Sequence, residues 1–439
     1  MQGFLRFGCL APGAALQRVA LVCCLSGTLV SSICAMQTKS EVPEKTSKQQ
    51  SEPFVARELV SENLARAIGY LVSAQNENGS WGAKGPQSVL EDGFALSTYE
   101  SWQLAAHALA CGTLIRVEFR SDRQQIALEK AVRYLCSVEI PKRDSDWDID
   151  IVWSAIYGFS TCVDLLQHKD MKGEEWLSIL TDRGKEFLAV LLKHQSLSGG
   201  WAYYDDPPFT TTPTWATSFT TAAVLPALID ARNVLGWPVE ERVIQRAVRY
   251  VERCALPNGA YAYDLKPNGG VTGVEHINKV EGSLSRIQVC NWALARAGVK
   301  RITPDRLREG LTEFFRFHGF LDHVRTRPIP HEGFHANAGY FYFFGHYYAA
   351  RAIEMLPIAE RASWYQRLSP HLMKTQWENG AASDFLVSPY MVVASTSFLA
   401  RGLQADLASR ASGDALQSDI QDPINEGTPA PDGPVNDER

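Results

Sequence analysis

Six times along the chain a helix-forming segment, a loop and a second, more apolar helix-forming segment recur. Three of the loops carry a Gln-x-x-x-Gly-x-Trp phrase or its remnant. The copies are Gln75…Gly79…Trp81, Gln195…Gly199…Trp201 and a decayed Gln376…Asn379-Gly380, and a fourth loop keeps only Asn258-Gly259…Tyr261. A repeat constrains architecture more than local propensity does, because each copy is one unit that must bury its apolar face on its neighbours. Six helical hairpins can close into a ring, and a closed ring encloses a hollow in which function is expected.

Periodicity and the breakers between segments place outer helices at 57–74, 124–137, 177–195, 239–254, 304–318 and 360–375. Inner partners follow each of them, at 97–112, 149–167, 214–233, 282–298, 336–356 and 388–402. The outer set is amphipathic. In 239–254, Val243, Ile244, Ala247, Val248 and Val251 form one stripe, and Glu240, Glu241, Arg242, Arg246 and Arg249 cover the remainder. The inner set is apolar or small nearly all round, as in the run Trp102 to Ala110. A helix without a charged face must be buried on most sides. Two concentric layers follow, so the expected fold is all-α, an α6/α6 toroid built as a double barrel of six helical hairpins over 57–403.

The loop phrase has a physical role in such a ring. Glycine lets the chain turn out of the outer helix. The Trp that follows can pack back over the turn, and the Gln can bond the free backbone groups at the helix end.

The ends read differently. An apolar run from Val19 to Val30 follows Arg6 and Arg18, with no acidic residue before Glu41, which is the layout of a secretory signal peptide over 1–35. Residues 36–56 read as a polar linker. Export to a periplasmic or extracellular space is expected. The net charge is −6, and the stretch Gln404 to Arg439 accounts for all of it, so 404–439 is expected to be a disordered acidic tail. The neutral body has no counterion-release drive toward nucleic acid, which removes that class of partner. Five cysteines outside the leader (Cys111, Cys136, Cys162, Cys254, Cys290) are scattered through helical patterns and read as buried small hydrophobes.

Repeated Gln-x-x-x-Gly-x-Trp loops on helix hairpins resemble the squalene/oxidosqualene cyclase and protein prenyltransferase superfamily. The best match is Gln195 to Tyr204, with the resemblance covering most of Ala56 to Leu403. The resemblance implies an α6/α6 barrel whose apolar cavity takes isoprenoid substrates. In squalene-cyclase-like proteins an Asp-x-Asp-Asp proton donor opens the inner helix after such a loop. Here that slot holds Thr212-Pro213-Thr214-Trp215, with Trp215 a candidate substrate contact, and the nearest acids, Asp205 and Asp206, lie earlier in the loop. Protein prenyltransferases hold zinc with an Asp, a Cys and a His, and no Asp-x-Cys opens an inner helix here. No metal and no cofactor is therefore expected.

A substitute acid stands in Asp144-Ser145-Asp146-Trp147-Asp148-Ile149-Asp150, at the head of the second inner helix. Clustered carboxylates beside an apolar cavity can share a proton, because like charges and desolvation both favour the neutral form. Asp146, Asp148 and Asp150 are the candidate catalytic acids, and Trp153 and Tyr157 the candidate cation–π partners of a carbocation. The plainer reading of the same residues is helix capping.

His331-Glu332-Gly333-Phe334-His335 spells His-Glu-x-x-His, but Pro328 and Pro330 before it and Gly333 within it argue against a zinc-binding helix. His335 is instead expected at the cavity mouth. The following helix carries Tyr340, Tyr342 and His346 among aromatics on every side. Those facing inward would form an aromatic wall suited to an apolar ligand. Arg286, buried in an inner helix, needs an anion: Glu281 or Glu275 internally, or a substrate carboxylate or phosphate.

Three functions fit. The first is a terpenoid-cyclase-like enzyme, and the second a non-catalytic toroid binding lipid, peptide or glycan. The third is a polysaccharide-active α/α toroid, which needs Tyr/His or paired carboxylates at an open cleft. The expected partner is a small apolar ligand, with peripheral contact to a membrane open and the oligomeric state undetermined.

Overall fold

The computed structural model describes residues 55–87, 95–142, 151–203, 213, 215–265, 274–327, 333–384 and 389–421. Residues 274, 275, 389 and 414–421 are described by backbone alone. Twelve long helices follow one another. They are α1 Arg57–Ser73, α2 Leu96–Leu114, α3 Asp122–Ser137, α4 Val152–Gln167, α5 Glu174–His194 and α6 Ser218–Asn233. The second half comprises α7 Glu241–Cys254, α8 Leu284–Arg296, α9 Pro304–Arg316, α10 Phe341–Ile353, α11 Ile358–Met373 and α12 Pro389–Gln421. No strand occurs among the described residues, and none of their helices is long and apolar enough to cross a membrane.

Local chemistry sets several of the starts. Ser121 and Gln124 form a reciprocal capping box at α3. Thr303 caps α9, with Pro304 at the first helical position, where a missing N–H costs nothing. Burial then separates the two layers. Every residue of α2 from Leu104 to Leu114 is buried. In α7, by contrast, Val243, Ile244, Ala247, Val248, Tyr250, Val251 and Cys254 are the buried ones and the charged residues between them face water. Each fully buried Leu, Ile, Val or Phe is worth about 1.5–3 kcal/mol, so the shared core between layers dominates stability.

The even-numbered helices form the inner ring. Each packs on the next, and α12 packs on α2, closing the circle. The fold is thus an α6/α6 toroid. The expected hairpin pairing is shifted for five of the six outer helices: α3 packs on α2, α5 on α4, α7 on α6 and α9 on α8, while α1 packs on α12; α11 packs on α12, as expected, as well as on α10. The cause is connection length. Four to seven residues join an inner helix to the outer one after it, against fourteen to twenty-nine from outer to inner. Short connections force antiparallel neighbours.

A second correction concerns the C-terminus. The last inner helix does not stop near 402 but runs to Gln421, so residues 404–421 of the expected disordered tail are helical. The side chain of Asp406 is fully buried there, accepting from Ser369 at 2.6 Å and from Arg410 at 2.7 Å. Arg410 also donates to the carbonyl of Val55 at 3.0 Å, which ties this extension to the start of the ring. The leader, most of the linker and residues 422–439 lie outside the described residues. The five cysteines of the body are free thiols, four of them buried.

The loop phrase acts as a clamp in all three copies. Gln75 Nε2 donates to Gly79 O at 3.0 Å and to Ala127 O of α3 at 2.8 Å. Gln195 Nε2 donates to Gly199 O at 2.8 Å and to Val243 O of α7 at 2.9 Å. Gln376 Nε2 makes the same pair, to Gly380 O and to Asn63 O of α1, both at 2.9 Å. Each Gln therefore fastens one outer helix to the next. The indole N–H groups of Trp81 and Trp201 satisfy the carbonyls of Leu71 and Leu191 near the ends of α1 and α5. In the fourth loop the Gln is missing, and Arg306 of the next outer helix donates to Gly259 O at 2.6 Å instead.

Candidate functional site

Each repeat reverses the chain twice, once into the outer helix and once back, so the six inner helices run the same way. Their N-terminal halves surround an apolar cup of about 300 Å³. Its wall comes from five of them: Trp102, Ala105, Ala106 and Leu109 of α2; Trp153 and Tyr157 of α4; Phe219 of α6; Phe344 of α10; and Met391, Ala394 and Phe398 of α12. Tyr340 and Tyr390 stand at the first turns of α10 and α12, and Tyr203 reaches in from the loop after Gln195. No charged side chain lines the described wall.

The wall is an interlocked set of rings. Trp102 stacks on Tyr390 with centroids 4.9 Å apart, and Trp153 stacks on Tyr157 at 5.5 Å. Phe219 meets Phe344 edge to face at 6.3 Å. Offset and edge-to-face contacts of this kind hold the rings in place. Tyr203 and Tyr263 approach hydroxyl to hydroxyl at 3.1 Å beside the cup.

The hollow does not run through the barrel. Tyr157 and Phe398, in contact edge to face at 5.8 Å, form its floor, and Tyr347 packs on Phe398 below them at 5.2 Å. Beyond lies a charged closure at the C-terminal ends of the inner helices. Asp164 accepts from Arg116 at 2.9 Å and from Arg401 at 3.0 Å, and Arg401 lies over Tyr347. Burial would raise the Asp164 carboxyl, but Arg116 and Arg401 together pull it down to about 2.

Of the residues singled out from sequence, the structure brings Trp153, Tyr157 and Tyr340 together on the cup wall. The other five stand elsewhere. Trp215 sits behind the wall with its ring edge-on to Tyr203 at 5.4 Å. Tyr342 points toward the outer layer, donating its hydroxyl to His371 O at 3.0 Å, and His346 lies beside it, fully buried against His318. A residue two positions from Tyr340 or Phe344 on a helix faces away from them, which accounts for both displacements. His335 is buried against Phe320, with ring centroids 4.5 Å apart, and not at the cup mouth. Arg286 is buried behind Tyr263, donating to the carbonyls of Tyr261 and Ile277. Backbone oxygens, rather than the expected Glu281, receive its bonds, and burial lowers its pKa to about 10. Asp146, Asp148 and Asp150, together with His331 and Glu332, lie outside the described residues.

Two features escaped the sequence reading. The wall residues of α12 follow a 3–4 spacing (Met391, Ala394, Phe398) that matches Trp102, Ala105, Ala106 and Leu109 on α2, and that shared pattern was available in the sequence. Asp384, four residues after Gly380, is fully buried, with neither carboxyl oxygen in a well-aligned hydrogen bond. Burial holds its carboxyl well above the usual range, against the pull of the Phe343 N–H and of Arg325. Burial favours the protonated form of this carboxyl, and Asp384 does not stand on the cup wall. Among the described residues, one group of side chains has the composition of a metal site: His318, His346 and His371, between the layers and away from the cup.

No family model and no curated protein matches the chain. Solved structures do match it. An inactive variant of the α-1,6-mannanase GH76A of Salegentibacter sp. HEL1_6, in complex with α-1,6-mannotetrose, superposes with a TM-score of 0.53 at 11% identity, covering 81% of this chain and 100% of that one. A possible member of the GH105 family from Klebsiella pneumoniae gives 0.50 at 11% identity, over 85% of this chain and 100% of the other. The type II terpene cyclase MstE from Scytonema gives 0.49 at 12% identity, over 81% and 100%. At these identities the α/α-toroid fold is what is shared.

Proposed function

We propose that this chain is an exported α/α-toroid protein that holds an apolar, isoprenoid-type ligand in its central cup. One observation carries the reading: a cavity of about 300 Å³ walled by nine aromatic rings and five small or aliphatic side chains, with no charge on the described wall. That volume is at the lower end of small-molecule sites, which run ~300–1,000 Å³. A wall whose polar groups are confined to a few tyrosine hydroxyls and indole N–H groups offers a polar ligand few hydrogen bonds in exchange for water, whereas a hydrocarbon gains on transfer. The stacked faces of Trp153 and Tyr157 would also favour a cationic centre at the floor.

Cyclase chemistry would add an acid, and Asp146, Asp148 and Asp150 remain the carboxylates proposed for it. A glycan-directed toroid is the second reading. The stacked Trp102–Tyr390 pair favours it, since aromatic platforms also receive sugar rings, and the mannanase and GH105-family matches are built on the same fold. Native mass spectrometry of the full chain purified from its own host, with parallel titrations of farnesol and of a manno-oligosaccharide followed by tryptophan fluorescence, separates the readings. Retained lipid and saturable farnesol binding are expected. Binding of the oligosaccharide alone would overturn the isoprenoid proposal, as would a cup that takes up neither.

A further inference from the structure

Between the two layers, three histidines from different elements converge. His318 follows α9, His346 lies in the middle of α10, and His371 is in the last turn of α11; ligating nitrogens of all three lie within 4.8 Å of one another. His318 and His346 are buried, and His371 is half-buried toward the surface.

The hydrogen bonds fix the tautomers. His346 Nδ1 is 2.6 Å from the carbonyl of Tyr342, which can only accept, so Nδ1 carries the proton and Nε2 a lone pair. His318 Nδ1 is 3.0 Å from the carboxylate of Asp322, which also accepts from Lys374 at 3.1 Å, so here too Nδ1 is the donor and Nε2 the lone pair. Yet the two Nε2 atoms face each other at 2.8 Å. Two imidazole lone pairs at that distance repel unless an electrophile lies between them.

We infer that His318, His346 and His371 form a binding site for a first-row divalent metal ion of the Zn²⁺ class. Three neutral imidazoles suit such an ion. His318 with Asp322, and His346 with the Tyr342 carbonyl, supply the second-layer partners that metal-bound histidines regularly have. Donors on one tetrahedral zinc lie about 3.3 Å apart, from Zn–N bonds of ~2.0–2.1 Å. The 2.8 Å pair therefore has only to open slightly while His371 swings in. A single shared proton would relieve the His318–His346 contact but would leave His371, tilted against His318 with centroids 3.6 Å apart, with its buried Nδ1 unpartnered. The ion would pin inner helix α10 to outer elements α9 and α11. It is independent of whatever the cup holds.

The test uses the untagged full-length protein, stripped with a chelator and dialysed against Zn²⁺ and, separately, Co²⁺. One ion per chain is expected by elemental analysis, with the visible absorption of four-coordinate Co²⁺. His371→Ala, which removes a half-buried side chain, should lose the ion while keeping the helical circular dichroism. Asp322→Asn should weaken binding ~10–100-fold. Wild-type protein that retains no more metal than a His318→Ala/His371→Ala double variant would overturn the site, leaving the shared proton as the account of the short contact. So would undiminished binding by folded His371→Ala.

Discussion

Gln376, at the end of α11, donates from Nε2 at 2.9 Å to the backbone carbonyl of Asn63 in α1, 313 residues earlier in the chain. The same side chain bonds Gly380 O at 2.9 Å, so one amide both shapes its own loop and joins the last outer helix to the first. Replacing Gln376 by Ala removes both bonds and a third, which its Oε1 accepts from the exposed Arg66 of α1 at 2.9 Å, at a cost of about 1–3 kcal/mol. Gln195→Ala should cost more, because Gln195 is buried and water cannot replace its bonds to Gly199 and Val243. Denaturant unfolding gives the order. Hydrogen exchange should show the Gln376 variant loosening α1 first. Equal costs, or no loss of protection in α1, would contradict the clamp.

The glycine of the phrase is tested by contrast with one that has no such duty. Gly380 has φ of 90°, and a Cβ there would stand 2.2 Å from the carbonyl of Arg66 in α1. Gly380→Ala therefore combines left-handed strain with a backbone clash and should destabilise by more than about 2 kcal/mol. Gly69, exposed in the interior of α1, has nothing near its missing Cβ. Gly69→Ala should stabilise by about 0.5–1 kcal/mol. Thermal melts of the two variants should move in opposite directions.

These clamps show what the sequence made legible. A fixed phrase returning at helix ends, and the alternation of one-sided with all-round apolar helices, were enough for the toroid, because periodicity and burial are local signals. Two things were less accessible. Which inner helix each outer helix would choose depended on connection length, and the continuation of α12 beyond 402 was hidden by its acidic composition. The buried Asp406, neutralised by Arg410 and bonded to Ser369, shows why composition misled: an acid can sit in a core when its partners come with it. On α10 the ring was crowded with aromatics on every side, so the sequence offered Tyr340, Tyr342 and His346 alike, and only the direction of each Cα–Cβ bond separates the cup wall from the interlayer histidines. Those histidines stand on three separate elements, which no short motif records.

Filling the cup should separate its binding role from its structural one. Ala394 lines the wall on α12. Ala394→Phe places a ring in empty space rather than in packed core, so farnesol binding should fall at least tenfold while stability changes by less than about 1 kcal/mol. A variant that binds as well as the wild type would move the ligand out of this cavity. If turnover of an isoprenoid is found, Asp148→Asn/Asp150→Asn should abolish it and leave binding intact; unchanged turnover would remove these carboxylates as the acid.

Two carboxyls, one half-buried and one fully buried, should give opposite responses to pH. Asp164 is pulled from its usual 3.8 down to about 2 by Arg116 and Arg401, although burial acts the other way. Its contribution is therefore complete above pH ~4 and is lost as pH falls toward 2, amounting to at most about 2 kcal/mol. Asp384 is shifted upward by burial, so the folded state holds a proton that the unfolded chain releases. Its effect runs the other way, and stability declines as pH rises above ~4. Asp164→Asn should flatten the acid limb of the stability profile and lower stability at neutral pH, since the buried Arg401 is left without its counter-charge. Asp384→Asn keeps the shape of the neutral acid and should raise stability at pH 8 relative to the wild type, with little change near pH 4. Urea titrations of the three proteins from pH 3 to pH 8 measure both slopes. An Asp384→Asn variant less stable than the wild type at pH 8 would mean that this carboxyl is ionised and paired in the folded chain.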